Sequence, residues 1–418
     1  MPLPRMMRLA QTFDTPQVTD VPGRVRQELA RLNLAGRIKP GQSAAISVGS
    51  RGIANLALII KTLVEELKAV GVKPFVVPAM GSHGGGTAEG QRAIVEGYGV
   101  TEDYIGAPVK ASMEVVRVGQ TEEGVPVYFD KYAFEADHVI VAARIKPHTD
   151  FRGDLESGLH KMLLIGLGKH EGAKVYHQAF IHYSFDHIVR SVARSVIDKC
   201  HVLLGLALVE NQRDETALIE AVAPEDFLSR EKELLVMARK LMPCLPFDRV
   251  DLLIVDEIGK NISGTGLDTN VVGRKTSYHR PWPDDRPKVT RIYARGLTEE
   301  THGNATGLGI ADFVHSRLVA QMDREITSIN CLTGNEPKGG AIPLHYDSDR
   351  QVLEAALKTI GYVKPEEARI VRIHNTLHLK EVLVSEAYLP EMAGRPDLKI
   401  LEPAREMEFD AQGDLPPF

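Results

Sequence analysis

The chain has 418 residues, 43% of them apolar and 25% charged, with a net charge of −6. That length supports two domains with ordinary cores, and interspersed charge without a basic stripe excludes nucleic acid as an expected partner. Three cysteines, Cys200, Cys244 and Cys331, form no CxxC pair, which fits a reducing cytoplasm and argues against a disulfide scaffold or a thiolate zinc site. No apolar run reaches the roughly 20 residues of a membrane helix, and Met1-Pro2-Leu3-Pro4-Arg5 does not open a secretory signal. The expectation is a cytoplasmic protein with no membrane partner.

The first clear strand is Ala44-Ala45-Ile46-Ser47-Val48, ending in the loop Gly49-Ser50-Arg51-Gly52. Asn55 to Val70 then carries Leu56, Ile59, Ile60, Leu63 and Leu67 at helical spacing, and Gly71 stops it. Pro74-Phe75-Val76-Val77-Pro78 predicts a second strand before the loop Gly81-Ser82-His83-Gly84-Gly85-Gly86. Thr87 caps a helix over 88–98. Val125–Tyr128 and His138–Ala142 predict further strands, the second running into Lys146-Pro147-His148. Helical pattern covers Asp186–Ala207 and Glu225–Met242. Prolines 243 and 246 suggest a boundary, with an N-terminal domain over 1–247 and a C-terminal one over 248–418.

In the second domain Val250–Val255 reads as a buried strand. It is followed by the polar segment holding Asp256, Glu257 and Lys260, to which the sequence assigns no role. Val289–Tyr293 predicts a strand, and Gly309–Met322 and Arg350–Ile360 predict helices. A turn-rich loop covers Cys331–Gly340, late strands cover Arg369–Ile373 and Glu381–Ser385, and Gly413–Phe418 reads as a frayed tail. Alternation of strand and helix makes the fold class α/β: two α/β domains with a cofactor and substrate cleft expected between them.

Eight of the fifteen histidines fall between His138 and His201. Gly49-Ser50-Arg51-Gly52 is a strand-to-helix turn of small residues with a guanidinium, which suits a phosphate or is an ordinary turn with a surface arginine, and it matches neither GxGxxG nor the Walker pattern. His83 stands among glycines that let a ligand approach, and its imidazole titrates near neutrality. His148 leaves a strand end behind a proline. Two histidines at two strand ends can serve a reaction that inverts a stereocentre. Lys161, in Ser157-Gly158-Leu159-His160-Lys161-Met162-Leu163-Leu164, has apolar flanks that lower a lysine pKa, and it reads either as a nucleophile or as a snorkelling side chain. His170 and His177 lie on one helical face as metal donors or as ordinary histidines. Asn335 and Lys338 form an amide and a cation in a glycine-rich turn.

In order and spacing these positions resemble the lactate racemase family, whose members use a nickel-pincer nucleotide. The carriers are Gly81-Ser82-His83, Lys146-Pro147-His148, Ser157-Gly158-Leu159-His160-Lys161, and His177 sixteen residues beyond the lysine. The resemblance implies His83 and His148 as an acid/base pair and Lys161 as covalent anchor of the cofactor. Ser50 and Arg51 would contact the cofactor, His177 would ligate nickel, and Arg51, Asn335 and Lys338 would contact a small-molecule 2-hydroxy acid. It also implies upstream cofactor-synthesis enzymes. The first loop departs from the family's Asp-x-Thr-Arg, the interval from His148 to Lys161 is about three residues longer, and Trp282 has no counterpart in the family's substrate pocket. Two other readings compete. One is a metal-dependent hydrolase or lyase built on His148, His170 and His177 with Asp150 or Asp154. The other is a nonenzymatic binder of an acidic small molecule.

Overall fold

The computed structural model describes residues 1–275 and 286–418, so Trp282 lies outside the described residues. The chain forms two compact units: Thr15–Met242, here the N-terminal unit, and Met1–Asp14 with Pro243–Phe418, the C-terminal unit. The first residues therefore leave the domain the sequence reading gave them. Strand Met6–Gln11 pairs antiparallel with Glu381–Ser385 and with Leu398–Arg405. Its alternating burial, with Met7, Leu9 and Gln11 inside, turns one face to the C-terminal core.

The N-terminal unit is built on a five-stranded sheet in the order Lys73–Pro78, Ser43–Val48, His138–Arg144, Val202–Glu210, Thr216–Val222. The first four strands are parallel and the last is antiparallel. Runs such as Ala44-Ala45-Ile46 and Val139-Ile140-Val141 are fully enclosed, as parallel strands covered on both faces require. Helix Leu56–Ala69 packs Ile59, Ile60, Leu63 and Leu67 into the core with Ile46, Val48 and Val76. The chain leaves Ser43–Val48 to build a neighbour on one side and later returns to build His138–Arg144 on the other. That reversal of strand order is where open α/β sheets take their ligands, at the carboxyl ends. The loops after Val48, Pro78 and Arg144 leave those ends.

The expected helix over Asp186–Ala207 is shorter. Helix Phe185–Lys199 stops at Cys200, His201 turns with φ +51°, and Val202–Glu210 is a strand. Its run Val202-Leu203-Leu204-Gly205-Leu206 is apolar on every face, so periodicity alone does not separate strand from buried helix.

The C-terminal unit holds an eight-stranded sheet in the order Leu344–Tyr346, Phe313–His315, Lys288–Leu297, Arg249–Ile258, Ile370–Ile373, Glu381–Ser385, Met6–Gln11, Leu398–Arg405. The segment Gly309–Met322, expected as one helix, is divided into a tight turn Leu308–Ile310, strand Phe313–His315 and helix Ser316–Gln321. Phe313 and Val314 pair with Tyr293 and Ala294, a sheet register that outweighs local helical pattern. The turn-rich segment 331–340 begins as the end of helix Arg324–Thr333. The expected fraying at Gly413–Phe418 is also corrected. Leu415 is buried, its N–H donates to Asp349 at 2.7 Å, and its carbonyl accepts from Arg295 at 2.7 Å. Asp256 lies buried between Arg295 and Arg372, so its role is that of a structural counter-ion. No helix among the described residues is long and apolar enough to cross a membrane.

Candidate active site

Three loops and one helix of the N-terminal unit supply the site. The first loop follows Val48. Arg144, at the end of its strand, donates to the Gly52 carbonyl at 3.1 Å and pairs with Glu210, whose other oxygen accepts the Ala54 N–H at 2.6 Å. The turn holding Ser50 and Arg51 is thereby fastened to two neighbouring strand ends. The Tyr98 hydroxyl donates to the Ser50 carbonyl at 2.8 Å. Arg51 has exposed surface. Its guanidinium is nonetheless held below its ordinary value, first by the protein crowded around it and, against an opposing Tyr98, by Arg144. The exposure makes the crowding a modest effect.

The Ser50 hydroxyl is hydrogen-bonded to Nδ1 of His83, which joins the first loop to the second. The second loop needs its glycines. Gly84 has φ +67°, and a Cβ there would lie 2.6 Å from the Gln91 nitrogen. Gly81 has φ +60°, and its N–H donates to the Gly166 carbonyl at 3.3 Å. The loop is carried from beneath by buried Lys169, which reaches Asp130 at 3.0 Å, the Pro78 carbonyl, and Gln91 at 3.2 Å. Gln91 in turn donates to the carbonyls of Gly81 and His83 at 2.8 and 3.3 Å.

The third loop runs from Lys146 to Ser157, whose backbones pair at its neck, each N–H donating at 3.1 Å. Inside it lies the carboxylate of Glu156, 2% exposed. It accepts the His148 N–H at 2.6 Å, the Gly153 N–H at 3.3 Å and the Arg239 guanidinium at 2.7 Å. The His148 ring stacks on Phe151 at 4.5 Å. Phe151 contacts Phe180 at 5.2 Å, and Phe180 meets the His177 ring edge-to-face at 5.6 Å. The two imidazoles thus border one aromatic cluster, closed by Phe185.

Lys161 ends the helical turn Leu159–Lys161, and the helix widens into a π-turn over Met162–Gly166. Such turns occur often at functional sites, because they re-aim side chains. The turn is anchored by His160, whose ring and backbone nitrogens both bond buried Glu231, at 2.8 and 3.1 Å. His160 is therefore structural. Lys161 is lowered to about 8 by burial and then by Arg51, with Asp150 and Glu156 opposing. His177 is lowered to about 4 by burial and then by the Lys161 charge. Its Nδ1 is buried and has no hydrogen-bond partner among the described residues.

The structure therefore brings Ser50, Arg51, His83, His148, Lys161 and His177 into one constellation. His170 lies exposed beside Gly86. Among the described residues His148, His170 and His177 do not gather into a three-ligand group; the one that does gather is His315, Asp349 and Asp414. That group is already saturated by Arg295 and Arg317. Asp154 is exposed and paired with Lys232 and Arg190. Asn335 and Lys338 belong to the C-terminal unit, where Asn335 has φ +54° and Lys338 is exposed on the turn Pro337–Gly340. Sequence reasoning missed Glu156, Lys169 and Gln91. Their signal was weak: a carboxylate before Ser157-Gly158, a lysine after Gly168, and an amide in an ordinary helix.

The lactate racemase N-terminal domain family matches residues 26–187, which include all six residues of the constellation. The lactate racemase apoprotein from Thermoanaerobacterium thermosaccharolyticum is similar in structure with a TM-score of 0.52 at 12% identity, over 88% of this chain and 94% of that one. A Thermotoga maritima protein gives a TM-score of 0.51 at 13% identity, over 68% of this chain and 72% of that one. At such identities the structural likeness is one of fold. Among curated proteins none matches the chain in sequence. Over residues 26–187 the chain is thus similar to the N-terminal domain of lactate racemases.

Proposed function

We propose that the protein is a 2-hydroxy acid racemase or epimerase that works with a nickel-pincer nucleotide tethered to Lys161. The observation that carries this reading is the pairing of Lys161 with His177. A lysine titrating at about 8 keeps a neutral fraction at physiological pH and can act as a nucleophile toward an acyl-type group. An imidazole titrating at about 4 is neutral under the same conditions, and its buried Nδ1 has no partner among the described residues. A neutral imidazole is a suitable donor for nickel. The residues present therefore fit the group: Lys161 as its anchor, His177 as the protein's metal donor, and Ser50 and Arg51 beside them. When bound, that group supplies acceptance and return of the C2 hydride.

The chain's own residues do the rest. His83 and His148 stand on loops from two strand ends and handle the hydroxyl proton on two faces of the substrate. Arg51 offsets the substrate carboxylate, and its fixed backbone means little reorganisation is needed as charge develops. Asn335 and Lys338 enter as substrate contacts on the resemblance alone. A resident group of this kind also calls for upstream enzymes that make it. The test is a screen of 2-hydroxy acids in deuterated water with protein from a cofactor-producing host. Inversion at C2 with little deuterium at Cα supports the reading. Inversion with full deuterium incorporation points to an enolate and overturns it, as does no inversion on any acid of the panel.

A further inference from the structure

The loop that carries His148 is organised around a charge that the proposed chemistry does not itself use. Glu156 is enclosed, and its two oxygens accept the His148 N–H at 2.6 Å, the Gly153 N–H at 3.3 Å and Arg239 at 2.7 Å. Arg239 also donates to the Gly153 carbonyl at 2.8 Å, clamping the same turn from the helix Phe227–Lys240. Held in this shape, the backbone folds back on the imidazole. The N–H groups of Asp150 and Phe151 point at Nδ1 of His148, at 3.0 and 3.2 Å, inside the 4.0 Å at which the Asp150 carboxylate stands from the same nitrogen.

A ring nitrogen that accepts two N–H groups has its lone pair engaged and cannot also carry a proton. The neutral ring must then hold its proton on Nε2. Protonating Nδ1 would set three hydrogens against one another and cost both bonds. The Nδ1 of His83 meets a partner of a different kind, the Ser50 hydroxyl, which rotates to donate or to accept.

We propose that Glu156 is a positioning residue that fixes His148 in the Nε2–H form, so that the two histidines are not equivalent. This rests on the reading of His148 as a proton-handling residue. In the resting site His148 is a hydrogen-bond donor toward the substrate oxygen, while His83 can present an unprotonated ring nitrogen and remove the hydroxyl proton. Proton transfer at Nε2, whether given or taken, needs a proton on Nδ1, so His148 must give up the bonds from Asp150 and Phe151 to take its turn as acid or base. The 148–156 loop must then loosen once in each full exchange of roles.

The first test is nitrogen NMR on the apoprotein labelled at histidine, with His148→Gln to assign the signal. For the neutral His148 ring the proposal expects a pyridine-type Nδ1 and a pyrrole-type Nε2. A neutral ring with its proton on Nδ1 overturns it. This result is read without the cofactor, so it stands or falls separately from the racemase reading. The second test uses Glu156→Ala and Glu156→Gln in the cofactor-loaded enzyme. Glu156→Ala should give mixed tautomers and a fall in kcat of about 100-fold with KM little changed, the scale expected when a reacting group is misplaced by about 1 Å. Glu156→Gln keeps an acceptor for the His148 N–H, so it should recover most of that loss. Should Glu156→Ala fail to fold, Glu156→Gln with Arg239→Ala carries the test, with loss of the single tautomer expected. An unchanged tautomer and kcat in Glu156→Ala, or in the Glu156→Gln, Arg239→Ala variant that replaces it, overturns the proposal.

Discussion

Lys161 lowers the basicity of His177, adding its charge to the effect of burial and bringing that imidazole to about 4. At neutral pH the His177 ring is unprotonated and Lys161 keeps a neutral fraction, so the site is prepared as a nucleophile beside a donor.

Lys161 should react as an amine of unusual acidity. In the apoprotein, its acylation rate should rise with a midpoint near pH 8, whereas exposed lysines continue to rise toward their ordinary value. Asp150 favours the charged form, so Asp150→Asn should move the midpoint lower still. Peptide mass mapping after timed labelling reads both.

His177 makes apoprotein stability fall in acid. Its folded value of about 4 lies below its ordinary 6.5. The unfolded chain therefore binds a proton first as pH drops, and stability is lost between about 6.5 and 4. Denaturant titrations across that window should show the loss, and His177→Leu should flatten it. A variant that declines as steeply as the parent would show that another group carries the effect.

The buried pair of Lys169 and Asp130 supports the turn of His83. Burial pulls each group toward its neutral form, and each partner's charge resists this. Removing one partner leaves the other enclosed and uncompensated, so Asp130→Ala should cost about 3–5 kcal/mol of folding free energy. Chemical denaturation measures it.

The Ser50 hydroxyl orients the His83 ring through Nδ1. Ser50→Ala should lower kcat by about 10-fold, the loss of one hydrogen bond of roughly 1–1.5 kcal/mol, while the Lys161 adduct remains. Steady-state kinetics beside intact mass checks it.

Much of this was legible in the sequence. The strands Ser43–Val48, Lys73–Pro78 and His138–Arg144 announce themselves as apolar runs, and His83, His148 and Lys161 follow at their ends or soon after. The strand Met6–Gln11 was not legible, because its partners are about 370 residues or more away in sequence. Val202–Glu210 was misread because a strand buried on both faces carries no period. Glu156 and Lys169 escaped notice because a buried charge looks like a surface charge until its partners are known. Leu415 was taken for a loose end because Arg295 and Asp349, which hold it, lie far back along the chain.

The central claim is that Lys161 carries the cofactor in the working enzyme. Its direct measurement is the mass of the Lys161 peptide from an active preparation made in a cofactor-producing host, taken with the nickel content of the same sample. The account predicts a nucleotide adduct on Lys161 and about one nickel per chain. An active preparation with unmodified Lys161 would contradict it.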